Sequence, residues 1–122
     1  MERVEGVGGV FLRARDPDAL LAWYRDMLGI EPAPDFTGRV FEDGPTVWAL
    51  FPADTGYFGR PDQQLMVNYR VHDLEAMLAQ LRAAGAAVDE KVQEESYGKF
   101  GWVMDPEGNR IELWEPPAAS SG

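Results

Sequence analysis

The chain has no cysteine and a single histidine among its 122 residues. The missing cysteine excludes disulfides, thiolate zinc sites and cysteine nucleophiles, and leaves any metal to oxygen ligands or one imidazole. There is also no apolar run near the roughly 20 residues that a membrane-spanning helix needs. The opening MERVEGVGG lacks the basic-then-apolar pattern of a secretion signal. A soluble cytoplasmic protein with no membrane partner is the expectation. Basic residues are scarce: 11 Lys and Arg face 21 Asp and Glu, a net charge of −10. That balance speaks against nucleic acid, whose phosphates demand clustered cations. It serves solubility, or draws a cationic small molecule. What is present, at 45% hydrophobic residues, suffices for one globular domain or two small halves sharing a core.

The two halves look alike. FLRARDPDALLAWYRDMLGI starts as an alternating strand and turns helical at Asp16, an N-cap followed by Pro17 at the first helical position. Leu20, Leu21, Trp23, Tyr24, Met27 and Leu28 then fall on one broad apolar face, and Gly29 supplies the stop. LMVNYRVHDLEAMLAQLRAAGAAV repeats the scheme with Asp73 as N-cap, Leu74, Met77, Leu78 and Leu81 as the stripe, and Gly85 as the stop. At an offset of 57 the segments match at Arg13/Arg70, Asp16/Asp73, Ala19/Ala76, Leu21/Leu78, Ala22/Ala79 and Arg25/Arg82. An internal duplication follows.

Extended stretches come after each helix. In the first half they cover 38–43 and 46–52, split by Asp43-Gly44-Pro45. In the second they cover 86–94, 98–104 and 109–115, the last two joined by Asp105-Pro106-Glu107-Gly108. This gives one domain of two modules, about 5–52 and 65–116, with a Pro- and Gly-rich linker at 53–64 and a frayed tail at 117–122.

A βαβββ unit occurring twice, closed by DPEGNRIELWEP, resembles the vicinal oxygen chelate superfamily, which holds glyoxalases, bleomycin-resistance proteins and extradiol dioxygenases. The resemblance implies an α+β fold of two βαβββ modules, with a cupped mixed sheet and helices on the convex side. It also implies a small-molecule ligand and a homodimer. The metal-dependent members take four ligands, one from the first and one from the last strand of each module. Those places fall here on Gly9, Ala49, Met66 and Glu112. Three of the four carry no hard donor, so no divalent metal or other cofactor is expected. His72 sits just before the N-cap Asp73, several residues beyond the ligand position, and reads as an exposed loop histidine.

With those four positions pointing inward, strand alternation assigns the concave face. Phe11, Arg13, Phe51, Asn68, Arg70, Phe100, Trp102 and Trp114 become candidate ligand-binding residues, joined by Val47, Met104 and Arg110. The opposite parity, from Val10 and Leu12 to Ile111 and Leu113, suits packing under the helices. Arg13 and Arg70 could clamp an anionic group or pair with Glu112. Glu112 itself stays open between metal ligand, buried partner of an arginine, and pocket acceptor or catalytic base. Tyr57, Phe58 and Tyr97 could rim or lid the cup. Three functions compete: a binding protein that sequesters a ligand, an enzyme of lyase, isomerase or dioxygenase type using Glu112 as base or in a rebuilt metal site, and a partner-binding module without a site.

Overall fold

The computed structural model describes residues 1–42 and 45–118; Asp43 and Gly44 of the expected first turn, and residues 119–122 of the expected tail, lie outside them. The fold is α+β, and the described residues form eight strands and two helices in the order β1 (Val4–Ala14), α1 (Pro17–Leu28), β2 (Gly38–Phe41), β3 (Thr46–Pro52), β4 (Leu65–Val71), α2 (Leu74–Ala83), β5 (Ala87–Val88), β6 (Gln93–Glu95), β7 (Gly98–Met104) and β8 (Arg110–Glu115). Neither helix is long and apolar enough to cross a membrane. Two compact units emerge: Gly9–Val67, and residues 1–8 together with the chain from Asn68 on.

In the first unit β1 and β3 run parallel, with Phe11 opposite Ala49 and Arg13 opposite Phe51. β2 pairs antiparallel with β3. Helix α1 begins as its sequence predicts: the Asp16 carboxylate accepts from the Ala19 amide at 3.1 Å, Pro17 needs no partner for an N–H it lacks, and Gly29 ends the helix at φ 70°. Its apolar face is another matter. No residue of α1 is buried, and Trp23, Met27 and Leu28 are 50%, 65% and 60% exposed. The helix docks through Tyr24, whose ring meets Trp48 edge-on at 4.8 Å.

The second unit is organised on β8, which pairs parallel with β4 and antiparallel with β7. Short β5 and β6 both pair with β7. Here the helix is buried. Leu74, Met77 and Leu78 of α2 pack with Val71 and Leu113, flanked by Tyr69, Leu81, Val88, Val103 and Ile111. Gly101 on β7 lets the Leu78 methyls approach within 3.1 Å of where a Cβ would stand. The α2 N-cap repeats that of α1, Asp73 accepting from the Ala76 amide at 3.0 Å; at the other end Ala84 is the cap and Gly85 follows it at φ 83°. Glu115 of β8 adds a second N-terminal acceptor, taking the Leu74 amide at 2.8 Å.

One expected strand is broken. The stretch 86–94 forms two short pieces because Asp89 folds back on its own backbone, accepting the Lys91 amide at 3.0 Å. The turn at Asp105–Gly108 holds for the same physical reason: Asp105 accepts the Glu107 and Asn109 amides at 2.9 Å each.

Candidate ligand-binding site

Alternation puts Asn68 opposite Glu112 across β4 and β8, and Trp102 opposite Glu112 across β7 and β8. Directly opposed residues share a face, so the acid lies between an amide and an indole. Asn68 Nδ2 donates to Glu112 Oε1 at 2.6 Å, and Trp102 Nε1 donates to Oε2 at 3.0 Å. All three side chains are at least 98% withdrawn from water. A carboxylate so deep is tolerable because polar hydrogens reach both oxygens. What the geometry of Glu112 displays is an acceptor of two internal donors.

Around this centre the same face carries Phe100 and Trp114, stacked at 6.1 Å with planes 3° apart. The Trp114 indole is fixed by donation to the Tyr97 carbonyl at 2.8 Å. Tyr97, 57% exposed, meets Phe100 edge-on at 5.5 Å. Arg70 is half-buried and donates to the Val7 carbonyl at 2.7 Å. Gly8 makes this approach possible: a Cβ there would meet Asn68 Oδ1, Arg70 and Trp114. Asn68 Oδ1 is buried and accepts no hydrogen bond among the described residues. Arg110 lies 5.0 Å over the Trp102 ring and is braced by Asp89 at 3.2 Å.

The other predicted residues gather in the first unit. Phe11 and Phe51 meet at 5.4 Å, and Phe51 also stacks on Tyr57 at 5.4 Å and touches Phe58 edge-on. Phe58, expected at a rim or lid, is a core residue with no exposed surface. Arg13 is braced by backbone. Its guanidinium donates to the carbonyls of Gln63, Ala53, Thr55 and Arg60 at 2.8–3.2 Å, with Cζ 4.9 Å from the Phe58 ring. None of these partners is a carboxylate. The linker wraps this cation, because its folded-back carbonyls need donors and Arg13 offers them in a fixed fork. Alternation had placed Arg13 on its face, but no local pattern announces partners 40–50 residues away.

A family described as a glyoxalase-like domain matches residues 9–114. The chain belongs to it. No curated sequence matches. Among solved structures, methylmalonyl-CoA epimerase from Mycobacterium tuberculosis is similar at 21% identity and TM-score 0.69, over 94% of this chain and 90% of that one. A methylmalonyl-CoA epimerase in complex with methylmalonyl-CoA and NH4+ is similar at 17% identity and TM-score 0.71, over 98% and 100%. A glyoxalase/bleomycin resistance protein/dioxygenase superfamily member from Vibrio splendidus 12B01 is similar at 17% identity and TM-score 0.62, over 94% and 99%. These likenesses bear on the fold; the glyoxalase-like match over residues 9–114 carries the membership.

Do the residues of this glyoxalase-like chain fit the divalent metal that the superfamily's metal-dependent members carry? Gly9 and Ala49 offer no donor, and Met66 offers a soft thioether at a position with no exposed surface. The Glu112 oxygens already receive Asn68 and Trp102. A hard cation wants about six oxygen or nitrogen donors. These four positions do not fit one. No cluster of three or more His, Cys, Asp or Glu suited to a metal occurs elsewhere among the described residues.

Proposed function

We infer that this glyoxalase-like chain binds a small organic molecule without the help of a metal, and that it sequesters the ligand rather than converting it. The observation that carries this reading is the state of Glu112, which is 1% exposed and accepts N–H donors on both oxygens. A general base needs a lone pair within reach of the substrate proton. Each oxygen keeps a further lone pair, but at 1% exposure a substrate could reach it only past the Asn68 amide and the Trp102 indole. Its work is to fix the Asn68 amide and the Trp102 indole as the floor of the face.

Ligand contact then falls to groups on that face that keep exposed surface: half-buried Phe100 and Arg70, and exposed Tyr97. Aromatic walls with few polar groups are how small-molecule sites are generally built. Tryptophan fluorescence titration with a panel of aromatic acids and amines tests this, with Phe100→Ala and Glu112→Gln as variants. Phe100→Ala should weaken binding about tenfold, the loss of one stacked ring. No bound compound should be turned over.

Structural neighbours named as methylmalonyl-CoA epimerases favour a second reading, a proton-transfer enzyme with Glu112 as base. Deuterium uptake from heavy water into an acyl-CoA thioester, abolished by Glu112→Gln, would overturn sequestration in its favour.

A further inference from the structure

The first unit contains a cavity of about 600 Å³ at the end of β1, lined by Arg13, Arg15, Asp16, Leu20, Ala53 and Gln64 among others. Its size lies within the usual range for a small-molecule site. One wall is unusual. Arg13 is only 8% exposed, and withdrawing a guanidinium from water is costly unless charge or dipoles answer it. Four of its five N–H groups donate to neutral carbonyls. Among the described residues the fifth, the second hydrogen on Nη2, has no acceptor, and no acid pairs with the side chain. Arg15 adds a second positive charge to the lining. Asp16 is the acid there, and its Oδ1 is committed to the Ala19 amide as N-cap. Two arginines against one aspartate leave the named lining at +1 in a chain of net −10.

We propose that this cavity binds a small organic monocarboxylate. Its oxygens take the remaining Arg13 hydrogen and the Arg15 guanidinium, and its carbon chain lies against Leu20 and Ala53. A planar carboxylate matches the arginine fork. Inorganic phosphate, a mixture of mono- and dianion at neutral pH, would bring its additional charge beside Asp16 and exceed the single positive charge of the lining.

Two-dimensional amide NMR on the whole chain tests the proposal, with sodium propionate, propionamide and inorganic phosphate as probes at matched ionic strength. Propionate should shift the Leu20 and Ala53 amides and the Gln64 side-chain amide saturably, while uncharged propionamide should not. Arg15→Gln should weaken propionate about tenfold, the loss of one charge-assisted hydrogen bond, with no change in melting temperature because Arg15 is exposed. Ala53→Trp, which fills the cavity, should abolish the shifts. The proposal fails if propionate gives no saturable shift, if propionamide does as well, or if Arg15→Gln leaves the affinity unchanged. Tighter phosphate binding would overturn the carboxylate assignment. None of these residues belongs to the second unit, so either reading can fail without the other.

Discussion

Helices α1 and α2 share an aspartate N-cap, a glycine stop and four of the repeat identities, yet they differ completely in burial. Helix α2 lays Leu74, Met77 and Leu78 into the core of the second unit, whereas α1 buries no residue and leaves Trp23, Met27 and Leu28 half or more exposed. The repeat-related arginines part in the same way. Arg13 is enclosed by four carbonyls, while half-buried Arg70 donates to the Val7 carbonyl. A duplicated sequence preserves what is encoded within one turn of helix; burial depends on what the rest of each unit brings to it.

The sharpest break of the arginine comparison is to remove each in turn. Arg13→Met should cost about 4 kcal/mol, because one buried and three part-buried carbonyls lose a charged donor and the linker loses its centre. Arg70→Met should cost about 1 kcal/mol. Urea denaturation followed by tryptophan fluorescence gives both values. Equal losses would mean that the carbonyl cage contributes nothing to stability.

The helices are tested by truncating the apolar stripe of each. Leu78→Ala in α2 should cost about 3 kcal/mol, since it opens a cavity against Gly101 and Leu113. Met27→Ala in α1, at 65% exposed, should change stability by less than about 0.5 kcal/mol. A loss at Met27 as large as at Leu78 would show that α1 is covered in solution.

Much of the fold was legible because its signals are short-range. The aspartate caps, the glycine stops and the Asp105 turn each involve groups within five residues of one another, so spacing alone predicts them. Alternation likewise gave the shared face of Asn68, Trp102 and Glu112, since a pleat has a fixed period. The partner of Glu112 was harder to read. An inward acid next to two repeat-related arginines suggests an ion pair, and the amide and the indole reach it only through the register of β4 and β7 on β8. The burial of Phe58 and the backbone partners of Arg13 were hidden for a related reason. A Pro- and Gly-rich segment looks like a surface linker, and nothing within it reveals that a cation on β1 will fold it inward. The same holds for 86–94, where alternation favours one strand but the Asp89 side chain competes with the ladder for the Lys91 amide.

The smallest expected effect separates the units by their response to acid. At one side of the second unit, Asp89 accepts the Lys91 amide and the Arg110 guanidinium, and these bonds, the backbone one foremost, hold its carboxyl below the ordinary aspartate value of 3.8. A lowered folded value means that the contribution is fully present above the ordinary value and is lost as pH falls through the folded one. In the first unit Arg39 donates to the uncharged Glu31 carbonyl at 2.9 Å, which does not titrate. Acid should therefore loosen the Asp89–Lys91 turn and its bond from the Asp89 amide to the Trp102 carbonyl, while the Arg39 contact persists. Because the Asp89 side chain is 37% exposed, solvent screening limits the effect to about 0.5 kcal/mol or less. Hydrogen exchange at the Asp89 and Lys91 amides across the acid range measures it, and Asp89→Asn should flatten the profile. An unchanged acid slope in that variant would move the pH dependence to some other carboxylate.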